Sequence, residues 1–440
     1  MAVDRSVKVG LLGCGVVGAA LTKLIAERRE DYRGRHGIDL DLRRIAVADV
    51  TRDRPAHVPR ELITDDVRSV TDDPEIQVIV EVIGGTTVAF DAVCRALNQG
   101  KDVVTANKAI VAQKGAVLLD LAHQSGVQLR FEAAVGGGVP VLGALLSGLS
   151  ASRMDSIDAI VNGTSNFILS RMCNDRMDYG TAVKIAQERG FAEADPTLDV
   201  DGTDAAHKLS ILTALGFGVA VRPEDIPREG IDTVSLEDIE AAHRFDYDLR
   251  HLAVARRGPT GIQLRVNPAF LPRGTFLATV QDEFNAFLVR GSASKEMVFI
   301  GRGAGADPTA GAVLGDVVEC ATRRLEPQPA PSLSWGWSPD AIEDPLDAET
   351  GYYFRFPVAN EPGAIGILST ILGEHGVNID NASARQDPDD PRLGIVEILS
   401  QRARERSVRA AVAAVDTQSL LRDTVRVIRI EEWRPSDGYF

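Results

Sequence analysis

Val7 to Arg29 runs from a short, apolar, β-branched stretch (VKVGLL) directly into Gly13-Cys14-Gly15-Val16-Val17-Gly18, and then into the helical pattern AALTKLIAERR. A strand, a Gly-x-Gly-x-x-Gly turn and a helix in direct succession leave few folds open, because each glycine has its own steric task. Gly13 permits the tight turn, Gly15 lets a pyrophosphate approach the backbone, and Gly18 lets the helix pack close against the strand. Helix N–H groups without internal partners, in the turn that carries Val16 and Val17, then face the phosphates. A glycine-rich turn with no ligand is the alternative reading.

The next segments keep alternating. After a polar insertion at Glu30–Asp41, Leu42–Ala48 is expected to be the second strand. Asp49 at its tip favours a free ribose 2′-hydroxyl, whereas Arg52 and Arg54 just beyond favour a 2′-phosphate, so the two signals conflict. Ile76–Ile83, Asp102–Thr105 and Val127–Val135 read as further strands, with helices expected at Thr87–Gln99 and Ala109–Ser125. This pattern is an α/β fold with a Rossmann-type doubly wound parallel sheet over residues 1–135, and it puts ligands at the carboxyl ends of the strands. Thr105 and Lys108 lie at such an end. Gly136-Gly137-Gly138-Val139-Pro140 reads both as a hinge out of this domain and as backbone with carbonyls free for a ligand.

The chain has 48 basic and 63 acidic residues, a formal charge of −15. That argues against nucleic acid or an anionic membrane as partner and in favour of small molecules. No run approaches the roughly 18 apolar residues that span a bilayer, and the N-terminus lacks a signal segment, so a cytoplasmic location is expected. Cys14, Cys94, Cys173 and Cys320 lie far apart and are read as reduced packing residues.

Phe191 to Lys208 (FAEADPTLDVDGTDAAHK) places Glu193, Asp195, Asp199, Asp201 and Asp204 ahead of Lys208. A calcium loop is excluded, because Asp199–Gly202 would put Thr197 at the first ligand position and Lys208 at the bidentate glutamate position. Thr203–Leu215 is expected to be a helix with Asp201 or Thr203 at its N-cap, so Asp204 and Lys208 stand one turn apart on one face. In solvent such a pair contributes only about 0.3–0.5 kcal/mol. Lining a cleft, it sets an ammonium donor beside a carboxylate. Residues 136–324 are read as an α+β catalytic and dimerisation domain, with strands at Ser156–Val161, Leu249–Arg257, Ile262–Val266, Phe287–Arg290 and Lys295–Ile300. Its loop Gly301–Gly305, which contains Gly303, could serve a phosphate or simply turn the chain.

Five prolines mark 325–350 as a linker. From 351 to 435 the pattern is βαββαβ, a ferredoxin-like unit. It resembles an ACT domain, the small-ligand regulatory module, and a ligand-free dimerisation unit is its alternative.

Taken with Gly13–Gly18, Glu81–Gly85, Thr105–Lys108, Glu132–Pro140, Asn162–Asn166 and Gly301–Gly305, the acidic stretch resembles the signature of homoserine dehydrogenases. The resemblance implies reversible reduction of L-aspartate 4-semialdehyde to L-homoserine with NADP or NAD. It implies Lys208 as proton donor, Lys108 beside nicotinamide and substrate, and Glu193 and Asp204 on the substrate, with Asp199 and Thr164 nearby. It also implies a sodium ion held by Glu132, Val135, Gly137 and Val139, a homodimer or homotetramer, and an effector, L-threonine, near Asn360–Gly363 or Gly376–Ile379. Phe191 stands where the family pattern leads one to expect tyrosine. Another semialdehyde dehydrogenase, or a catalytically silent amino-acid sensor, are the competing readings.

Overall fold

Six parallel strands form the first sheet in this computed structural model, which describes residues 5–326, 335–388, 390–417 and 420–431. They are β1 (Ser6–Leu12), β2 (Asp39–Ala46), β3 (Ile63–Thr64), β4 (Val78–Glu81), β5 (Asp102–Thr105) and β6 (Leu129–Arg130), ordered β3-β2-β1-β4-β5-β6. Winding reverses between β1 and β4, which opens a crevice at their carboxyl ends. The doubly wound sheet is the one expected, and Val7, Val9, Leu11 and Leu12 of β1 are fully buried, as a parallel strand covered on both faces requires.

Several boundaries differ from those read in the sequence. The polar stretch after the first helix is itself largely helical, Arg29–His36, and Gly37 stops it at φ 65°. The second strand therefore ends at Ala46, and Asp49 lies in the loop beyond it. The strand expected at Val127–Val135 shortens to β6, because the chain turns into a 3-10 helix at Glu132–Ala134. Helix Ala306–Leu325 returns to the nucleotide-binding sheet, where Ala310, Val313, Leu314 and Val317 share a core with Val7, Val9 and Leu21. The core of this domain therefore extends past residue 135, to a helix from much later in the chain.

The second sheet begins with β7 (Met154–Ile160), β8 (Tyr247–Arg257), β9 (Ile262–Pro272), β10 (Phe284–Gly291) and β11 (Lys295–Arg302), antiparallel in the order β11-β10-β7-β8-β9. The tail adds β12 (Glu349–Ala359), β13 (Ile379–Gln386), β14 (Leu393–Ser400), the short β15 (Ala403–Arg404) and β16 (Arg426–Ile430), with helices at Ala364–Glu374 and Glu405–Asp416. Its main strands run β16-β12-β14-β13, the ferredoxin-like arrangement. β16 also pairs in parallel with β9 through Arg429 opposite Ala269 and Ile430 opposite Phe270. Body and tail thus share one continuous sheet, where the sequence suggested two.

Of the proline-rich stretch, 327–334 lies outside the described residues. The segment beginning at Trp335 is docked on the body: a Cβ at Gly115 would lie 3.0 Å from the Trp335 ring, and Ile342 bridges to Ile262. Among the described residues no helix is long and apolar enough to cross a membrane.

Candidate active site

Helix Thr203–Gly216 presents Asp204 and Lys208 on one face. Its N-cap is Gly202 at φ 85°, one residue from either expected cap, while Asp201 accepts the Thr203 N–H at 2.8 Å. Asp204 is 4% exposed. Its Oδ2 accepts from Lys208 Nζ at 2.8 Å and from Asn162 Nδ2 at 2.8 Å, and its Oδ1 lies against Lys108 Nζ. Lys208 Nζ also donates to the Val161 carbonyl at 2.7 Å. The Asn162 amide donates in addition to Asp199 Oδ1 at 2.8 Å, so one side chain orients two carboxylates. Its own oxygen accepts the Ser165 N–H and caps helix Gly163–Asp175.

Lys108 reaches this cluster from the other domain. It is the first residue of helix Lys108–Gln124, capped by Asn107, which also donates to the Gly85 carbonyl at 2.7 Å. Thr105 Oγ1 donates to Glu81 Oε2 at 2.5 Å and accepts the Asn107 N–H at 3.0 Å. These bonds fix the carboxyl ends of β4 and β5, and with them the position of Lys108.

Burial disfavours every charge here, and neighbours decide the outcome. Burial pushes the Asp204 carboxyl up, but the two ammonium groups overcome it and hold it well below the usual carboxylate range. For Lys208, burial together with the like charge of Lys108 outweighs Asp204, so its pKa falls below 10.5. For Lys108, burial is outweighed by Asp204, with smaller help from Asp199 and Glu193, and its pKa rises. Burial raises Asp199 despite its hydrogen bond from Asn162.

Glu193 is exposed on the loop, whose backbone is held by Gln187 Nε2 donating to the Glu193 carbonyl at 3.1 Å. Thr164 is buried and donates its hydroxyl to the Phe191 carbonyl at 2.6 Å, so it supports the loop from beneath. The Phe191 ring packs on Phe167, with centroids 4.9 Å apart.

The glycine turn fits a dinucleotide. A Cβ on Gly13 would lie 2.6 Å from the Val82 carbonyl oxygen and one on Gly18 would collide with the Gly13 oxygen, whereas the space at Gly15 is open to 4 Å. Helix Val16–Glu27 has no side-chain cap and Val16 is 74% exposed, with Val17 next to it in the first turn, which leaves N–H groups for phosphate. The Asp49 carboxylate accepts the Thr51 N–H at 2.8 Å and the Thr51 hydroxyl at 2.6 Å. Arg54 folds back onto the Asp49 and Arg52 carbonyls at 2.8 and 2.9 Å, near Cys14, and Arg52 is exposed. Gly303 packs on the second glycine turn, since a Cβ on Gly137 would lie 2.5 Å from its carbonyl oxygen.

At that turn the Glu132 carboxylate accepts the Leu142 and Gly143 N–H groups at 2.9 and 2.6 Å. The Val139 carbonyl accepts the Val141 N–H at 2.8 Å, while among the described residues no protein donor meets the Val135 and Gly137 carbonyls. An oxygen-only set built mainly from backbone fits a hard cation. No group of three His, Cys, Asp or Glu among the described residues could hold a metal.

Sequence reasoning gave Asn162, Asn107, Glu81 and Asn285 no individual role. The first two carry a faint signal as asparagines ahead of helices. Asn285, which donates to the Val161 carbonyl at 2.9 Å, carries none.

Residues 13–132 match the family model described as homoserine dehydrogenase, NAD binding domain, and residues 140–318 match the model described as homoserine dehydrogenase. A homoserine dehydrogenase of Pseudomonas aeruginosa is 37% identical over 97% of this chain and 99% of its own length. The crystal structure of a homoserine dehydrogenase from Thiobacillus denitrificans superposes with a TM-score of 0.92 at 36% identity, covering 97% of this chain and 98% of that one. A hyperthermophilic archaeal homoserine dehydrogenase in complex with NADPH has a TM-score of 0.62 at 25% identity, covering 74% of this chain and 99% of that one. The two family models together take in most of 13–318 and the relatives nearly the whole length, so the chain belongs to the homoserine dehydrogenases, NAD(P)-dependent oxidoreductases.

Proposed function

We propose that Lys208 exchanges the proton in the interconversion of L-aspartate 4-semialdehyde and L-homoserine, while Lys108 keeps its charge and Asp204 holds both in place. The observation that carries this reading is Asp204 gripping two ammonium groups whose proton affinities move in opposite directions. The nicotinamide, when bound, supplies or takes up the hydride. Carbonyl reduction builds an alkoxide that needs an acid, and Lys208, the amine with the lowered proton affinity, provides one. Its bond to the Val161 carbonyl restricts its geometry, and Lys108 adds positive potential where the negative charge develops. Glu193, Asp199 and Asp204 form the acidic side that suits the substrate ammonium, with Thr164 bracing the loop. Another semialdehyde dehydrogenase, or a silent sensor, gives way to the family assignment.

The dinucleotide is held at Gly13, Gly15, Val16, Val17 and Gly18, with Thr105, Lys108 and Gly303 bordering the crevice. Arg52 and Arg54 favour NADP with NAD usable, because Asp49 is turned towards Thr51. Sodium would be held through the carbonyls of Val135, Gly137 and Val139 and by Glu132. The tail acts as an ACT-like module, with L-threonine taken near Asn360–Gly363 or Gly376–Ile379, in a cytoplasmic homodimer or homotetramer.

The test is the pH dependence of reduction. Activity should fall on an alkaline limb below 10.5, and Lys108→Ala should move that limb upwards by removing a like charge from beside Lys208. A limb that stays in place or moves down overturns the roles given to the two lysines.

A further inference from the structure

We infer that Asn285 is a positioning residue for the proton exchange: it donates to the Val161 carbonyl that also holds Lys208, and so weakens that carbonyl's grip on the ammonium. This deepens the role given to Lys208 above and rests on it.

The placement follows from sheet register. β7 and β10 run antiparallel with Ile160 opposite Ala286, which puts Asn285 opposite Val161, one residue past the end of β7. The Asn285 side chain is fully buried and donates Nδ2 to the Val161 oxygen at 2.9 Å. Lys208 Nζ donates to the same oxygen at 2.7 Å. A carbonyl oxygen has two lone pairs, and here a donor sits on each.

The amide is held this way round. Gly303 lies against its face, since a Cβ there would collide with Asn285 Cγ, Nδ2 and Oδ1 alike. Turned over, the amide would set its oxygen against the Val161 oxygen. As it stands, Oδ1 is buried and meets no donor among the described residues. An unmet buried acceptor costs free energy, and an asparagine kept only for packing would be expected to satisfy both of its ends. Nor does the Val161 carbonyl need the amide, because Lys208 already supplies it with a donor. The effect left for the second donor is electrostatic. Two positive N–H ends converge on one oxygen in a dry interior, so each is held less firmly, and a charged ammonium loses more by this than a neutral amine.

The charged groups facing Lys208 are Asp204 on its own helix, Lys108 on helix Lys108–Gln124 and Asp199 on the short helix Thr197–Val200. Burial and the Lys108 charge already lower its proton affinity, and Asn285 works in the same direction. His207, faced by Glu224 and Arg228, and His251 on β8 are both lowered below 6.5 by burial, so neither changes charge where a lysine titrates.

The experiment measures kcat against pH in both directions for Asn285→Ala beside Lys108→Ala. Without the second donor Lys208 keeps its proton more firmly, so the alkaline limb of reduction should move up by roughly 0.4–1 pH unit. Homoserine oxidation needs Lys208 neutral, so on the acid side of its limb kcat should fall by roughly 3–10-fold, while reduction at neutral pH keeps its rate. A packing defect would lower kcat in both directions and leave the limb in place, and that result overturns the inference. If Asn285→Ala does not fold, Asn285→Asp keeps the shape and sets a carboxylate beside the ammonium, which should also move the limb up. A limb that stays in place or falls in the folded variant overturns the role of Asn285. If Lys108→Ala moves the limb and the Asn285 variant does not, Asn285 alone is removed from the proton exchange. If neither moves it, the reading of Lys208 falls as well.

Discussion

Two buried charge clusters in this chain follow the same electrostatic plan with different cations. At the active site Asp204 lies between Lys108 and Lys208. In the second sheet Asp158 is held by Arg256 at 2.8 Å and Arg290 at 2.7 Å, and Glu431, just past β16, by Arg256 at 2.6 Å and Arg265 at 3.0 Å. Arginine stays charged at any working pH and grips carboxylates in a fixed fork, whereas lysine shifts its proton affinity when buried. The arginine cluster locks the end of the tail to β7, β8, β9 and β10. The lysine cluster can give up a proton. The difference shows that burial and pairing alone do not mark a catalytic centre; the identity of the cation does.

Replacing one partner in each cluster breaks the comparison most sharply. Lys208→Ala should lower kcat by roughly 10²–10⁴-fold while cofactor binding and melting temperature stay near the parent values. More than about a tenth of parental kcat would remove Lys208 from proton transfer. In the arginine cluster, Glu431→Gln leaves Arg265 without its anion and Arg256 with Asp158 alone, and about 3–5 kcal/mol of stability should be lost in denaturant titration. The folded fraction should keep its kcat within about a factor of 2–3, a change worth less than 1 kcal/mol. A collapse of kcat comparable to that in Lys208→Ala would show that the two clusters act as one.

Acid titration separates the clusters from a third buried carboxyl. Burial opposes Glu431 ionisation, yet Arg256 and Arg265 bring its pKa from 4.5 down to about 2. Its stabilisation is therefore complete above about pH 4.5 and is lost as pH falls towards 2. Asp316, which accepts the Glu132 N–H at 2.9 Å, runs the other way: burial raises its pKa from 3.8 to about 7. Its ionisation costs stability increasingly between those values and fully above 7. Asp316→Asn should stabilise the protein by on the order of 4 kcal/mol at pH 8, and the gain should vanish near pH 4. A gain that persists at pH 4 would mean that packing, and not charge, is responsible.

The smallest effect is expected at the ribose end of the crevice. Changing Arg52 and Arg54 together to alanine should raise KM for NADPH by roughly 5–10-fold, the scale of about 1 kcal/mol expected for exposed ion pairs, and leave NADH unaffected. An equal loss for both cofactors would place the arginines in general loop support.

Of the fold, the sequence alone determined what is local. The Gly13–Gly18 turn is legible because each glycine answers a steric demand within a few residues of itself. Asp204 and Lys208 share a face because a helix has 3.6 residues per turn, and the βαββαβ order of the tail follows from alternating periods. Tertiary structure alone decided which surfaces meet. No local pattern announces that Lys108 crosses from the nucleotide domain to Asp204, that Asn162 bridges Asp199 and Asp204, or that Ala306–Leu325 returns to the first sheet. The join of β16 to β9 was equally invisible, because an edge strand's unpaired N–H and C=O groups accept any partner strand and specify none. That join buries Phe270 against Tyr353, with ring centroids 5.0 Å apart, so Tyr353 of the tail, beyond the proline-rich stretch, shares a core with the body.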